Sequence, residues 1–168
     1  MEIAINNPGL KSTRRFSEEE KNLPKILIVD DEPEVYTLLS KFLSKNYCVD
    51  FAGSCKDAFS KIKNEFYEVA IVDINFPDIS GREFINACKE LSLEIEIIVT
   101  TGAPEYKDAV NFIKNGAYDY ITKPFDLQAI SETIAGAVKE QKINAEKKLK
   151  AANYKIVRKI NSGSSGIV

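Results

Sequence analysis

Short apolar runs alternate with amphipathic stretches along the chain from Lys25 onward. The apolar runs cover residues 25–30, 47–52, 68–73, 94–100 and 118–122. They are rich in Val and Ile and mostly lack a strict two-residue alternation, as is typical of strands that are buried on both faces of a parallel sheet. The pattern therefore predicts five buried strands.

The stretches that follow these runs carry apolar residues at helical spacing. The first has them at i, i+3, i+4, i+7 and i+8, namely at Val35, Leu38, Leu39, Phe42 and Leu43. Four more stretches are marked by Ala58, Phe59 and Ile62; by Phe84, Ile85, Cys88 and Leu91; by Ala109, Val110, Phe112 and Ile113; and by Leu127, Ile130, Ile134, Ala137 and Val138. Gly116 is placed as a C-terminal stop for the fourth helix. Five repeats of strand and helix predict an α/β fold in three layers, a doubly wound parallel sheet with helices on both faces.

The two ends of the chain differ from this core. Residues 1–24 are polar and charged without sustained periodicity, which predicts a flexible N-terminal extension. Residues 25–140 form the predicted domain. Residues 141–168 begin as a lysine-rich linker helix and end in a tail that contains Gly and Ser.

Charge and composition narrow the class of protein. Hydrophobic residues make up 44% and charged residues 29%, and the formal net charge is −2, so the whole chain offers no electrostatic case for direct nucleic-acid binding. No apolar run approaches the roughly 20 residues of a membrane span, and charges interrupt the N-terminus where a signal peptide would be apolar. The three cysteines lack a C-x-x-C spacing and indicate reduced packing residues. These features together predict a cytoplasmic protein that does not contact membranes.

The sequence contains no histidine. This excludes a Ser-His-Asp triad, a histidine-ligated metal and a phosphohistidine on this chain. Any chemistry must use carboxylates, hydroxyls and lysines.

Polar residues stand where the predicted strands end. Strand 1 ends in Asp30, Asp31 and Glu32, strand 3 in Asp73, strand 4 in Thr100-Thr101-Gly102, and strand 5 is followed by Lys123-Pro124. Open parallel sheets bind their ligands beyond the carboxyl ends of the strands, so these groups are expected to converge on one edge.

Clustered carboxylates repel one another and favour a bound cation. Two charges about 4 Å apart repel by about 4 kcal/mol at an effective dielectric constant near 20. An open, all-oxygen site with few carboxylates suits Mg²⁺, and Mg²⁺ with retained waters suits phosphoryl transfer. Lys123 and the Thr101 hydroxyl could contact phosphoryl oxygens, and a carboxylate nucleophile can form an aspartyl phosphate.

Four segments together resemble a known family. ILIVDDEPEV, AIVDINFPDISG, IIVTTGAP and GAYDYITKPFD occur in the order and approximate spacing of the receiver domain of two-component response regulators, the CheY-like family. The resemblance covers about residues 25–140. It implies a flavodoxin-like, CheY-like (βα)5 fold with strand order 2-1-3-4-5.

The resemblance also implies roles for the acidic residues. Asp73 matches the aspartate that accepts the phosphoryl group. Asp30 and Asp31 match the acid pair that holds Mg²⁺, with Asp31, Asp73 and the backbone carbonyl of Asn75 as direct ligands and Asp30 acting mainly through water.

Three further residues match the phosphoryl-contacting and switch positions of the family. Lys123 matches the lysine that contacts the phosphoryl group, and Thr101 matches the switch hydroxyl. Thr101 is preferred to Thr100 because the family follows its hydroxyl residue with Ala or Gly, here Gly102. Tyr120 matches the switch aromatic residue.

The function that the resemblance implies is phosphorelay signal transduction. A partner histidine kinase or phosphotransfer protein would phosphorylate Asp73, and the face formed by helix 4, strand 5 and helix 5 would then change shape. The domain would not be an enzyme beyond its own self-phosphorylation and autodephosphorylation.

Several alternatives remain open at the level of sequence. Asp31 or Glu32 could simply cap the first helix, with Pro33 in its first turn, and Tyr120 could be an ordinary core residue. A haloacid-dehalogenase-like phosphohydrolase also forms an aspartyl phosphate, but it places a general acid where Asn75 stands. The other functional alternative is a receiver-like interaction module that is never phosphorylated.

The last fifteen residues, YKIVRKINSGSSGIV, weakly resemble the opening strand and Gly-rich loop of a protein kinase. Asn161 replaces the first glycine of that motif, and Gly163, Gly166 and Val168 match later positions. The resemblance implies a kinase-like output domain that is missing from this chain. A plain Gly/Ser tail is the alternative.

Overall fold

The computed structural model describes residues 22–75, 81–91, 93–102 and 106–163. Strands and helices alternate throughout these residues. The strands are β1 (Lys25–Val29), β2 (Cys48–Ala52), β3 (Val69–Asp73), β4 (Glu96–Thr101) and β5 (Asp119–Thr122). The helices are α1 (Pro33–Leu43), α2 (Cys55–Asn64), α3 (Gly81–Glu90), α4 (Tyr106–Lys114) and α5 (Leu127–Gly163).

All five strands pair in parallel in one sheet with the order β2-β1-β3-β4-β5. The predicted fold class and strand order are thus confirmed. The order reverses between β1 and β3, and β3 lies beside β4, so the C-terminal ends of these three strands share one edge of the sheet.

Each face of the sheet has its own hydrophobic core. One core lies under α2, α3 and α4 and contains Val29, Val72 and Val99 from the strands. The other lies under α1 and α5 and contains Ile28 and Ile98. Because both faces are covered, the strands are apolar on both sides, which explains why their sequences lack alternation.

Local chemistry explains where several helices begin and end. Glu32 is the N-cap residue of α1 and Pro33 is its first residue, where a missing N–H causes no loss. The Ser54 side chain accepts a hydrogen bond from the Asp57 N–H and caps α2. Gly116 has φ +91°, which glycine adopts more readily than other residues, and it follows α4 as predicted.

The C-terminal helix is longer than predicted. α5 continues to Gly163, through residues where the kinase-like resemblance predicts a strand. These residues are thus helical up to Gly163, and the kinase-like resemblance of the tail stays a prediction. A strand needs a neighbour for its backbone hydrogen bonds, and no strand pairs with this segment in the described part of the chain, whereas a helix satisfies these groups internally. The last glycine and valine of the motif, like the predicted extension up to Lys21, lie outside the described residues.

No helix among the described residues combines the length and the apolar character that crossing a membrane requires.

Candidate functional site

Three aspartates meet at the C-terminal edge of the sheet. Asp30 follows β1 and Asp73 ends β3, and both are buried, with 1% and 5% of their surface exposed. Asp31 lies beside them and is exposed to solvent. Carboxylate oxygens from the three residues lie within 4.8 Å of one another.

Lys123 provides the positive charge for this cluster. It follows β5, and its Nζ donates hydrogen bonds to Asp73 Oδ2 at 2.6 Å, to Asp30 Oδ2 at 2.9 Å and to Glu32 Oε1 at 3.0 Å. An ammonium has three N–H donors, so these three carboxylates use all of them.

The two buried aspartates are held in the same way. Asp30 Oδ1 accepts a hydrogen bond from the Glu32 N–H at 2.9 Å, and Asp73 Oδ1 accepts one from the Asn75 N–H at 2.8 Å. Each carboxylate therefore has one oxygen on a backbone N–H two residues later and the other oxygen on Lys123. This arrangement fixes the orientation of both side chains.

Burial and charge act in opposite directions on the ionisation of the site. Burial raises the pKa of Asp30 above its ordinary value, and the hydrogen bond from Lys123 only partly offsets this effect. Burial lowers the pKa of Lys123, but the hydrogen bonds to Asp73, Asp30 and Glu32 outweigh burial, so its pKa is raised. Lys123 therefore remains charged, and the site has a cost in desolvation that a second cation would reduce.

The donor set fits a Mg²⁺ ion. Mg²⁺ takes oxygen ligands, uses one or two carboxylates and keeps several waters. Asp30, Asp31 and Asp73 supply carboxylate oxygens only, and the exposed Asp31 opens the cluster to water. These three residues could hold the ion.

The switch candidates share one face of the sheet. β4 pairs with β5 so that Val99 lies opposite Tyr120 and Thr101 opposite Thr122. Because side chains alternate along a strand, Thr101 points to the same face as Val99 and Tyr120, whereas Thr100 points to the α1–α5 face. Thr101 is fully buried.

Tyr120 belongs to a stack of side chains on that face. Its ring packs against the core and lies 6.3 Å from the Phe112 ring, at 17° between planes. The Arg82 guanidinium carbon lies 5.7 Å from the centre of the same Phe112 ring. Tyr120 is thus a partly buried residue that packs against the core, and it lies on the face that contains Thr101.

Sequence reasoning gave Glu32 no role except a helix cap. In the structure Glu32 is the N-cap residue, but its side chain makes no capping hydrogen bond and binds Lys123 instead. The sequence did contain a signal for this contact. Three acids follow one another, and the proposed Mg²⁺ site accounts for only the first two of them. Phe112 was likewise assigned only to a helix face, because its contact with Tyr120 depends on tertiary packing.

Comparisons with known proteins agree on one family. The sequence model described as "Response regulator receiver domain" matches residues 26–135, more than half of the chain. The transcriptional regulatory protein DltR of Streptococcus agalactiae is 29% identical over 133 residues, which cover 79% of this chain and 59% of DltR. The response regulator ArlR of Staphylococcus aureus is 32% identical over 120 residues, which cover 71% of this chain and 54% of ArlR.

Solved structures show the same similarity. A CheY-like response regulator receiver domain protein from Methanospirillum hungatei is 31% identical with a TM-score of 0.67, over 73% of this chain and 98% of that protein. The beryllofluoride-activated NtrC4 receiver domain dimer is 37% identical with a TM-score of 0.66, over 70% of this chain and 98% of that chain. The present chain thus matches whole solved receiver domains but only a little over half the length of these two curated relatives.

Proposed function

The chain belongs to the response regulator receiver domain family, and on that premise we propose that Asp73 accepts a phosphoryl group from a partner histidine kinase or phosphotransfer protein. The observation that carries the proposal is the sharing of Lys123. One ammonium contacts both Asp73 and Asp30, beside three carboxylates that could hold a divalent cation. In such a site, the ammonium of Lys123 and a divalent cation would both offset the negative charge of a phosphoryl group on Asp73.

The proposed transfer is a displacement at phosphorus. A carboxylate oxygen of Asp73 forms the new P–O bond while the P–N bond of the donor phosphohistidine breaks. The imidazole nitrogen leaves with the electron pair and takes up a proton from solvent. The same attack on a small acyl phosphate breaks a P–O bond and releases a carboxylate, with no proton required.

The residues of the site divide this work. Asp30, Asp31 and Asp73, together with the backbone carbonyl of Asn75, would hold Mg²⁺. Mg²⁺ in this position supplies charge neutralisation for the phosphoryl oxygens. Lys123 Nζ orients Asp73 through its 2.6 Å hydrogen bond and would then contact a phosphoryl oxygen.

A switch would follow from the new negative charge. Thr101 is proposed to turn toward the phosphoryl group and Tyr120 to adjust its ring on the same face of the sheet, which alters the α4–β5–α5 surface. The shared face and the stack on Phe112 support this coupling.

The test uses the full chain with acetyl phosphate and Mg²⁺. Intact mass spectrometry is expected to show one added phosphoryl group in the wild type and none in Asp73→Asn. Asp31→Asn should lower the affinity for Mg²⁺ at least about tenfold by titration calorimetry, since Mg²⁺ is held by few carboxylates. Asp57→Asn, in the first turn of α2, is the matched control and should leave both measurements unchanged.

Two results would contradict the proposal. A wild-type chain that binds Mg²⁺ but gains no phosphoryl group would instead be an interaction module that is not phosphorylated. Steady release of phosphate from small phosphoesters would indicate a phosphohydrolase.

A further inference from the structure

Glu32 occupies an unusual position for a helix N-cap residue. An acidic N-cap side chain ordinarily accepts hydrogen bonds from the first free N–H groups of its helix. Glu32 makes no such bond with α1. Its carboxylate instead reaches a residue 91 positions later and accepts a hydrogen bond from Lys123.

The three partners of Lys123 are not equally accessible. The side chains of Asp30 and Asp73 are 2% and 6% exposed, whereas that of Glu32 is 59% exposed. Glu32 therefore holds Lys123 from the solvent side, and it is the partner that a group arriving from solvent meets first.

All three N–H donors of Lys123 are in use, so a contact with an incoming phosphoryl oxygen requires that one of them be released. The bonds to the two buried aspartates cost most to break, since the loss of either bond leaves a buried negative charge without its contact to the ammonium. The bond to the exposed Glu32 costs least, because its carboxylate can be solvated by water.

We propose that Glu32 is a positioning residue that competes with the phosphoryl donor for Lys123 and thereby slows phosphorylation of Asp73. The inference rests on the proposed function of Asp73. Glu32 adds a negative charge on the solvent side of Lys123, and it occupies the hydrogen-bond donor that the phosphoryl group needs. Anionic donors are thus disfavoured by repulsion and by competition for the same ammonium.

The test measures the second-order rate constant for phosphorylation by acetyl phosphate with saturating Mg²⁺. Glu32→Gln removes the charge and keeps the shape. Glu32→Asp keeps the charge but is one methylene shorter and loses the 3.0 Å contact. Both variants are expected to react roughly two- to fivefold faster than the wild type, as an exposed and screened charge allows. Glu34→Gln, an exposed acid in the first turn of the same helix, should react at the wild-type rate.

A second donor separates a positioning role from a general structural effect. Phosphoramidate carries less negative charge than acetyl phosphate, so the gain in Glu32→Gln should be smaller with phosphoramidate. A structural change in the site would accelerate or slow both donors alike. Unchanged thermal unfolding of the variants checks that the fold is intact.

The outcomes distinguish this inference from the function on which it rests. If the wild type is not phosphorylated at all, the proposed function fails first. If the wild type is phosphorylated and Glu32→Gln reacts at the same rate, the role of Glu32 is overturned alone. It is also overturned if Glu34→Gln is accelerated as much, if Glu32→Asp matches the wild type, or if both donors gain equally.

Discussion

Lys123 Nζ and Asp73 Oδ2 lie 2.6 Å apart although their strands are not neighbours, because β4 lies between β3 and β5 in the sheet. Lys123 must therefore reach across the end of β4 to meet Asp73. The same ammonium contacts the buried Asp30. One cation thus compensates two buried carboxylates that come from different strands.

Lys123→Met should destabilise the chain and make its stability depend on Mg²⁺. The variant leaves two buried carboxylates without their cation, and breaking such a pair typically costs about 3 kcal/mol. Urea denaturation without Mg²⁺ at pH 7 should show this loss in the free energy of unfolding. Saturating Mg²⁺ should recover more stability in the variant than in the wild type, since the ion replaces the missing charge.

Lys148→Met is the control for Lys123→Met. Lys148 pairs with Glu94 at 3.1 Å, but both side chains are well exposed, at 60% and 40%. A surface pair of this kind contributes less than about 1 kcal/mol. Equal losses in the two lysine variants would show that the charge of Lys123 does not stabilise the buried aspartates.

Thr101→Ala should separate phosphorylation from the response of Tyr120. The variant removes the hydroxyl on the Tyr120 face, so Tyr120 should no longer respond to a phosphoryl mimic. Fluorotyrosine NMR with beryllofluoride and Mg²⁺ measures this response, and Tyr120→Phe assigns the signal. Thr100→Ala is the control, since it removes a hydroxyl from the neighbouring buried residue on the opposite face. This variant should preserve the response of Tyr120. The switch assignment fails if Tyr120 responds fully in Thr101→Ala.

Glu96→Gln should raise stability at neutral pH but not in acid. Burial raises the pKa of Glu96 above its ordinary value of 4.5, and the hydrogen bond from Asn144 only partly offsets this shift. The native state therefore holds the proton more tightly than the unfolded state. The wild type loses stability as the pH rises from about 4.5 through the raised pKa.

The pH series for Glu96 is measured by urea denaturation between pH 4 and pH 7. Gln does not titrate and can still accept the hydrogen bond from Asn144. The variant should thus be more stable at pH 7 by up to about 1 kcal/mol, since the side chain is only partly buried, and should match the wild type near pH 4. A difference that is independent of pH would contradict the assignment of the effect to this carboxylate.

The gain in stability from Gly136→Ala should be limited by the hydroxyl of Tyr118. A Cβ at Gly136 would lie 2.5 Å from the Tyr118 hydroxyl oxygen and 3.5 Å from the ring carbon that bears it. Alanine gains about 1 kcal/mol over glycine inside a helix, but the hydroxyl must move. In a Tyr118→Phe background most of this gain should appear, whereas the single variant should gain less. A double-mutant cycle from thermal unfolding measures the difference, and purely additive effects would exclude the clash.

The sequence by itself determined the fold class and the composition of the site. Apolar runs without alternation are typical of strands buried on both faces, and the helical stretches between them serve as crossovers, so the pattern predicted a doubly wound parallel sheet. Its strand ends then specified which residues share an edge, and Asp30, Asp31, Asp73 and Lys123 were found there. These inferences succeed because periodicity and strand polarity are local properties of the chain.

Tertiary structure decided what each polar group contacts. Glu32 stands at the N-cap position of α1, yet its carboxylate makes no capping hydrogen bond and binds the ammonium of Lys123 instead. The cation that follows β5 is available to Glu32 only in the folded chain. The stack of Arg82, Phe112 and Tyr120 likewise depends on how α3 and α4 lie on the sheet. The length of α5, which continues to Gly163, was likewise not given by the sequence pattern. Long-range partners of this kind compete with local ones, and only the folded chain settles which partner has the lower free energy.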